Sequence, residues 1–397
     1  MAIVNIVVPA IKRRTFSGGI ACIFEYAKGL TARGHQVNVL PLLPSPYPQW
    51  VQGSFGRLVS APDAAATRPA SWKETVRELV AAAGLHAARL LPYEVQYGFQ
   101  LRQVRRLMPK ADVTLATSFE TALPVHLYGT GRRCYFMQHF ESLFAVDAPD
   151  PRWHEHTAAA SYRLGLDMIA NSTWLQAKIR EEVGIEPALC PNAIDHSIFQ
   201  GEVKPANASG EVRVISYGGS HATWKGIHDM ASAMRRVREA LPTVKIRWLV
   251  YGPCLLPPHN EICSYEALGF LQPAALADAY RSADILLSAS WYESFPLFPL
   301  EAMACGLAVV TTQTGTEEFA QHDVTAEIVV ARDVASIAAG LCRLIDDPQR
   351  RTRLARAGRE AARRFSWPQA VTRMEALLLG ARAEMPAGHS EGMPNAG

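Results

Sequence analysis

Apolar and polar residues follow one another at the start of the chain in a strand–helix–strand order. Residues 3–8 are almost all apolar, and apolar residues then recur at helical spacing over about 20–33, where Gly34 ends the pattern. A second apolar run covers residues 36–40. This order predicts a βαβ unit, and a βαβ unit implies a parallel sheet.

The same periodicity continues to about residue 200 and completes a first domain. Residues 42–70 hold several prolines and small polar residues, which predicts a long loop or insertion, and residues 72–108 have a helical pattern. The remaining predicted elements are strand 112–116, strand 133–138, helix 155–165, strand Met168–Asn171 and helix 172–183. We therefore expect a first α/β domain within residues 1–200.

A second start follows the segment 204–210, whose proline, alanine, serine and glycine residues indicate a linker. The elements predicted after it are strand 212–217, helix 226–240, strand 245–251, strand 264–270, helix 273–282, strand Asp284–Ser288, helix 298–305 and strand Ala308–Thr312. Residues 211–365 are thus predicted to form a second doubly wound α/β domain, and the tail 383–397 is predicted to be disordered. Two such domains in tandem make the cleft between the carboxyl ends of their strands the default ligand site.

Length and composition agree with two globular domains. The chain has 397 residues, of which 49% are apolar and 19% charged, and its net charge is +3. That charge argues against a dedicated nucleic-acid-binding protein, which would carry a strongly basic face. Residues 1–8 are predicted to be a buried strand rather than a signal peptide, and no apolar run reaches the roughly 18–20 residues that span a bilayer. The seven cysteines are scattered and lack metal-knuckle spacing, which predicts buried thiols in the reducing cytoplasm.

Two carboxylates, Glu293 and Glu301, carry the candidate chemistry. Glu293 lies in a loop just past a buried strand, and Glu301 lies eight positions later, early in the following helix, where the helix dipole favours a negative charge. The amides around Leu297 and Phe298 open that helix and are free to bind an anion. Such a loop suits a ligand that carries both hydroxyls and a phosphate, as nucleotide sugars do. The alternative is a pair of solvated surface carboxylates.

The segment from Trp291 to Gly306 resembles the motif of a glutamate, seven residues and a second glutamate in retaining glycosyltransferases of family 4. The other elements similar to that family are Pro191-Asn-Ala-Ile-Asp195 with Phe199, Lys225-Gly226, Gly269-Phe-Leu271, Gly306-Leu-Ala-Val-Val310 and Phe365-Ser-Trp367. The resemblance runs from residue 3 to about 380. It implies the GT-B fold, in which two Rossmann-like doubly wound domains face a central cleft, the first binding the acceptor and the second the nucleotide sugar. It also implies a final helix over 366–382 that crosses back to the first domain.

The resemblance implies a role for each matching residue. Glu301 would bind the ribose hydroxyls, Glu293 would contact the transferred sugar, and Lys225 would neutralise the diphosphate. His139, just after the strand 133–138, would lie near the reacting sugar carbon, so the implied catalytic residues are His139, Glu293 and Lys225. The other implied donor-binding residues are Gly18, Gly19, Ser220, His221, Gly269, Leu271, Phe295, Leu297, Phe298, Thr314, Gly315 and Thr316.

The chain departs from the family pattern at three positions. Gly219 stands six residues before Lys225, where the family usually has an arginine, so the second cation at the diphosphate would be His221 or would be replaced by backbone amides. Pro296 replaces a glycine, which removes one N–H donor, and Ala193 replaces the glycine of the Pro-Asn-Gly-Ile-Asp element. For His139, a structural histidine at a strand end is the alternative.

The resemblance predicts a retaining glycosyltransferase. It would transfer a hexose or deoxyhexose from a UDP-, GDP- or dTDP-linked sugar to a hydroxyl of a glycan, a lipid-linked sugar or a small molecule, in envelope polysaccharide or glycoconjugate synthesis. No cofactor, metal or nucleic acid is expected, and no Asp-x-Asp element follows a strand. The alternatives are a non-catalytic nucleotide-sugar-binding subunit and a sugar-nucleotide epimerase with the GT-B fold.

A basic stretch at the end of the helical segment 72–108 has two readings. Its members are Arg102, Arg105, Arg106 and Lys110. They form either a solvated face or a peripheral contact with anionic lipid at the inner face of the cytoplasmic membrane.

Overall fold

The structure is a computed structural model that describes residues 1–11, 18–48, 50–51, 53–59, 93–205, 210–218, 222–252, 255 and 259–380. The predicted tail 383–397, the middle of the predicted linker and the first part of the predicted helix 72–108 lie outside the described residues.

The first half of the chain forms a parallel sheet of seven described strands. They are β1 Ile3–Val8, β2 Gln36–Pro41, β3 Arg57–Leu58, β4 Val113–Ala116, β5 Arg132–Met137, β6 Asp167–Ala170 and β7 Ala188–Leu189. Their order across the sheet is β3-β2-β1-β4-β5-β6-β7, and each neighbouring pair is parallel. Both faces of β1 are buried, since Val4, Ile6 and Val8 pack into one core and Val7 into another. Helices therefore cover both faces of this sheet, as a parallel sheet requires.

The helices of this half are Gly18–Ala32, Tyr93–Leu107, Phe119–Tyr128, Pro151–Ser161 and Thr173–Val183, with a 3₁₀ helix at Glu141–Asp147. The prediction of a helix over 155–165 was wrong by four residues at each end. The side chain of Asp150 accepts a hydrogen bond from the amide of Trp153 at 3.1 Å and caps the helix, and Pro151 fixes its first turn.

The second half forms another parallel sheet, with six described strands. They are β8 Glu211–Tyr217, β9 Lys245–Tyr251, β10 Glu266–Gly269, β11 Ile285–Ser288, β12 Ala308–Thr312 and β13 Glu327–Val329, in the order β10-β9-β8-β11-β12-β13. The helices around it are Ile227–Ala240, His259–Ile262, Pro273–Ser282, Leu297–Ala304, Val334–Asp346 and Pro348–Ala362, with a 3₁₀ turn at Thr223–Lys225.

The two sheets reverse their strand order at equivalent places. The reversal lies between β1 and β4 in the first sheet and between β8 and β11 in the second. At such a switch point the loops that leave two neighbouring strands run to opposite faces of the sheet, which opens a crevice at the carboxyl ends of the strands. The predicted pair of doubly wound α/β domains is confirmed.

The final helix, Trp367–Leu379, lies on the helix Gly18–Ala32 of the first domain. The contact is close, because a Cβ added to Gly29 would collide with the side chain of Val371. Glu375 also bonds His35 at 2.7 Å and pairs with Arg33. The chain thus crosses between the two domains twice. None of the helices in the described ranges is long and apolar enough to cross a membrane.

Candidate active site

Lys225 and Glu293 form an ion pair at the switch point of the second sheet. The Nζ of Lys225 lies 2.6 Å from Oε1 of Glu293, and the hydroxyl of Ser290 donates to the same oxygen at 3.1 Å. The side chains of Lys225 and Glu293 are 21% and 13% exposed, so the pair is shielded but open to the cleft. Lys225 also lies over the ring of Trp224, 4.3 Å from its centroid, where the ring's negative face stabilises the ammonium.

These residues are 68 positions apart in the chain and meet because β8 and β11 are neighbours. The loop after β8 ends in the turn Thr223–Lys225, and the loop after β11 carries Ser290 and Glu293. Gly226 has a φ of 65°, and a Cβ there would collide with the carbonyl oxygen of Ala289. Only glycine lets the two loops approach this closely.

Glu301 is buried in the helix Leu297–Ala304, which we call the motif helix. Glu301 is 8% exposed, and its Oε2 has no hydrogen-bond partner among the described residues. Burial raises the pKa of Glu301 to about 8, while a hydrogen bond with Tyr280 works in the opposite direction. A buried carboxyl with a spare oxygen is suited to pair with hydroxyl groups of a ligand.

Replacing Glu301 with glutamine should remove a pH dependence of stability. The folded state keeps a proton on Glu301 up to about pH 8, whereas the unfolded chain releases it near the ordinary value of 4.5. The free energy of unfolding of the wild type, relative to that of Glu301→Gln, should therefore fall as pH rises from about 5 to about 8. Urea unfolding of both proteins across that range measures this difference, and a difference independent of pH would contradict it. The comparison cancels other titrating groups such as Glu141.

Aromatic rings line the pocket between Lys225 and the motif helix. Phe298, the second residue of the motif helix, packs against Tyr217 and Tyr251 with ring centroids 5.0 and 5.5 Å apart. Gly269 ends β10 with a φ of 68°, and its carbonyl accepts a hydrogen bond from the amide of Gly252 at 2.8 Å. Leu271 packs in the same apolar cluster as the motif helix. The predicted residues Gly269, Leu271 and Phe298 therefore lie along one edge of the second sheet.

The segment 314–316 closes the pocket on the side of β12. A Cβ on Gly315 would collide with the carbonyl oxygen of Glu293, so this glycine lets the segment press against the loop that carries Glu293. Thr316 is buried and donates from its hydroxyl to the carbonyl of Thr312 at 2.8 Å. Phe295 is buried in the core beneath the motif helix and packs against Phe319 and Phe365, so its side chain acts as an anchor of the loop.

Gly18 and Gly19 begin the first helix of the N-terminal domain and lie against the second domain. A Cβ on Gly18 would stand 3.9 Å from Cδ1 of Leu297, the first residue of the motif helix. A Cβ on Gly19 would stand 3.4 Å from the side-chain amide of Gln138. The first turns of two helices thus lie side by side at the cleft. The first amides of a helix have no partner within the helix, so two helix starts side by side favour an anion at this place.

His139 is buried on the opposite wall of the cleft. Its Nδ1 lies 3.4 Å from the carbonyl oxygen of Phe140, and its Nε2 has no partner among the described residues. Burial lowers the pKa of His139 to about 3; the backbone of Phe140 works against this shift and the charge of Lys225 adds to it. The ring is therefore neutral at physiological pH, and a proton on Nδ1 leaves Nε2 as an acceptor.

Four aromatic rings from both domains surround His139, and sequence reasoning did not find them. Their centroids lie 4.1 to 5.9 Å from the imidazole, and they belong to Phe144, Trp174, Trp224 and Tyr292. The hydroxyl of Tyr292 donates across the cleft to the carbonyl of Leu143 at 3.0 Å. A ligand as large as a sugar reaches Nε2 only when these rings separate.

Hydrogen bonds beside Glu293 join the two domains. Ser294, which is 1% exposed, donates to the side-chain oxygen of Asn171 and lies 3.1 Å from the hydroxyl of Ser172. Asn171 donates in turn to the carbonyl of Gln138 at 3.1 Å. One hydrogen-bonded chain thus links the loop of Glu293 with the residue before His139.

The predicted site residues Ser220 and His221 lie outside the described residues, as does Gly219, where the family usually has an arginine. The expectation that His221 supplies a second cation therefore stays a prediction. In the part of the chain that the structure describes, no group of three or more His, Cys, Asp or Glu side chains is arranged to hold a metal ion.

The second domain is similar in sequence to a known protein family. Residues 212–347 match the family model of the glycosyl transferases group 1. This range includes the turn of Lys225, the loop of Glu293 and the motif helix.

Two relatives extend the likeness beyond that range. The O-antigen biosynthesis protein RfbC of Myxococcus xanthus is 28% identical over 284 residues, which are 71% of this chain and 22% of that protein. A D-inositol 3-phosphate glycosyltransferase of Segniliparus rotundus is 30% identical over 247 residues, which are 56% of this chain and 53% of that protein. The chain thus spans about half or less of the length of these relatives.

Two solved structures resemble nearly the whole chain. Sucrose-phosphate synthase of Thermosynechococcus elongatus has a TM-score of 0.69 at 17% identity, over 96% of this chain and 99% of that one. HepE of Anabaena, in complex with UDP-glucose, has a TM-score of 0.67 at 15% identity, over 96% of this chain and 100% of that one. At such identities the likeness concerns the fold, and the predicted GT-B fold is confirmed.

Proposed function

We propose that the protein is a retaining glycosyltransferase that moves a hexose or deoxyhexose from a nucleoside diphosphate sugar to a hydroxyl acceptor. The observation that carries this proposal is the Lys225–Glu293 pair at the switch point of the second sheet. A cation and a carboxylate lie there, and the first turns of two helices lie side by side at the same cleft. This combination suits a sugar joined to a diphosphate.

The leaving diphosphate is where charge develops in the transition state. The bond between the anomeric carbon and the diphosphate oxygen breaks, and the electron pair stays on the diphosphate. Lys225 and the amides at Gly18, Gly19 and Leu297 stand ready to stabilise that charge, since they are already oriented and partly shielded from water. Glu301 would hold the ribose hydroxyls through its unpartnered oxygen.

The acceptor hydroxyl attacks the anomeric carbon from the face that the diphosphate leaves, as the likeness to retaining enzymes implies. The new carbon–oxygen bond forms there, and the hydroxyl proton passes to the departing phosphate oxygen. In this arrangement Glu293 binds hydroxyls of the transferred sugar, and neutral His139 accepts a hydrogen bond from the same sugar through Nε2. Both residues then orient the anomeric carbon, and neither takes the proton of the acceptor hydroxyl.

Acceptor-dependent release of nucleoside diphosphate tests the proposed function. The purified protein is incubated with UDP-, GDP- and dTDP-sugars, first among them UDP-glucose, which HepE binds in its crystal structure. We expect release only when a hydroxyl acceptor is present, and a product whose anomeric configuration, read by NMR, is that of the donor. A product of inverted configuration would contradict retention but leave the transferase intact.

The same assay separates the proposed function from its rivals. Interconversion of the donor sugar without any acceptor would identify an epimerase. Binding of nucleotide sugars without release or transfer in any combination would identify a non-catalytic binding subunit.

We also propose that the helix Tyr93–Leu107 lets the protein work at an anionic membrane surface on a lipid-linked acceptor. Val95 and Phe99 on this helix are 44% and 52% exposed, and Arg102, Arg105 and Arg106 on its second half are exposed as well. Exposed apolar and basic residues on one helix suit a surface of anionic headgroups.

Exchanging the three exposed arginines of this helix for serine should weaken membrane binding. The wild type should sediment with phosphatidylglycerol vesicles and not with phosphatidylcholine vesicles, and added salt should release it because the attraction is electrostatic. The matched control replaces Arg235 and Arg236 of the helix Ile227–Ala240, whose side chains are also exposed. Equal sedimentation of all three proteins would contradict the proposal.

A further inference from the structure

The loop of Glu293 is fastened to the turn of Lys225 by a tryptophan that no part of the proposed mechanism uses. The indole Nε1 of Trp291 donates to Oδ2 of Asp229 at 2.7 Å, and the backbone amide of Trp291 donates to the carbonyl of Trp224 at 2.7 Å. Trp291 lies two residues before Glu293, and Trp224 lies next to Lys225. The hydrogen bonds of Trp291 therefore join the loop of Glu293 to the turn of Lys225.

Asp229 is a buried partner for this indole. It is 8% exposed, and Trp291 is the hydrogen-bond partner that the structure gives its carboxylate. It lies in the first turn of the helix Ile227–Ala240, where the helix dipole favours a negative charge. A buried carboxylate held by one N–H and a helix start is costly to shift, so it fixes the indole in one place.

The side chain of Arg332 stacks on one face of the Trp291 indole. Its guanidinium lies 3.9 Å from the ring centroid of Trp291. Its backbone has a φ of 64°, a left-handed conformation that L side chains other than asparagine and aspartate rarely adopt. The backbone of Arg332 is therefore in a strained conformation, and the side chain at this position places a cation on the Trp291 ring.

We propose that Asp229 is a positioning residue that sets the place of Glu293 through Trp291. This inference rests on the proposed function, because its effect is on the group that contacts the transferred sugar. Asp229 contacts the indole at its edge, and Arg332 contacts its face. The carbonyl of Trp224 accepts a hydrogen bond from the backbone amide of Trp291. A shift of about 1 Å in a positioned group is enough to lower turnover strongly.

Replacing Asp229 with alanine should lower kcat by at least about 10-fold and leave the KM for the donor within about threefold, because the loss arises in positioning rather than in binding. Asp229→Asn keeps an oxygen that accepts the indole N–H and should retain most of the activity. Trp291→Phe loses the N–H and should resemble Asp229→Ala. The matched control is Asp278→Ala, an aspartate with a 74% exposed side chain in the same domain.

A double-mutant cycle separates positioning from general damage to the fold. In the Glu293→Ala background there is no carboxylate left to position. Asp229→Ala should therefore lower the kcat of Glu293→Ala by less than about twofold. If Asp229→Ala lowers kcat by the same factor in both backgrounds, or leaves it at the wild-type level, the proposal is overturned.

Hydrogen exchange gives a readout that needs no activity. Amides of the segment 289–293 should exchange faster in Asp229→Ala than in the wild type and in Asp229→Asn, whereas the strand β12 should be unchanged. Unchanged exchange in the segment 289–293 would overturn the proposal. If the wild type transfers no sugar, the proposed function fails, and the exchange measurement still decides whether Asp229 positions this loop.

Discussion

Replacing Glu293 with alanine should lower the rate of sugar transfer by about 10²-fold or more, which is the usual loss for a positioned transition-state contact. Its Oε1 is held by Lys225 at 2.6 Å and by Ser290 at 3.1 Å, so the carboxylate is held in a fixed orientation. Water that fills the vacated space has no such fixed orientation. Steady-state transfer rates of the folded variant measure the effect.

The control for Glu293→Ala is Glu239→Ala, a glutamate of the same domain whose side chain is 67% exposed. It should keep the wild-type rate. Near-normal transfer by Glu293→Ala, with its melting temperature close to that of the wild type, would refute the role of this carboxylate. Glu293→Gln distinguishes charge from hydrogen bonding, since glutamine keeps an acceptor and loses the partner for Lys225.

Replacing Lys225 with alanine should also lower the rate of transfer by about 10²-fold or more. The substitution should weaken binding only of ligands that carry a diphosphate. The ammonium lies at the carboxyl edge of the second sheet beside the amides that would bind the phosphates. Affinity for a nucleoside diphosphate should fall strongly, whereas affinity for the nucleoside alone should stay within about twofold, because only the former presents charge to Lys225. Calorimetric titration of both ligands measures this difference.

Lys245 is the matched control for Lys225, because it lies in the same domain and its side chain is 73% exposed. Lys245→Ala should bind both ligands as the wild type does. Equal weakening of nucleoside and nucleoside diphosphate by Lys225→Ala would contradict the assigned contact and point to collapse of the pocket, since Glu293 then loses its cation.

Much of the fold follows from local pattern. The apolar runs of β1 and β11 are buried on both faces in a parallel sheet, and such runs are visible in the sequence. The stretch between Thr312 and Trp367 was not assigned, although it holds β13 and the helices Val334–Asp346 and Pro348–Ala362. The strand β13 has only three residues, too short for its periodicity to stand out.

The candidate site was predictable only where its residues are close in sequence. Glu293, the start of the motif helix and Glu301 fall within one segment, and so their joint place at the sheet edge could be inferred. The contacts of Trp291 with Asp229 and Arg332 join three segments, which meet only because β8, β11 and the chain after β13 end at the same edge. Local pattern carries no information on such contacts.

Burial also changed the chemistry expected of two site residues. Glu301 was expected to face the helix dipole as a charged group, but it lies in the middle of the motif helix, and its burial raises its pKa to about 8. His139 was expected near the sugar, and its burial lowers its pKa to about 3. Both groups are therefore neutral near pH 7 before a ligand binds, which depends on the three-dimensional surroundings and not on residue type.

The central claim is that Lys225, Glu293 and Glu301 together hold a nucleoside diphosphate sugar, and the shift of melting temperature with a panel of UDP-, GDP- and dTDP-sugars tests it most directly. A ligand at 100 times its Kd adds about 2.7 kcal/mol to the stability of the folded protein. We predict that at least one of these sugars raises the melting temperature of the wild type and of Lys245→Ala, and raises that of Lys225→Ala and Glu301→Ala much less. A panel without any shift, or one whose shifts survive both substitutions, would contradict the account.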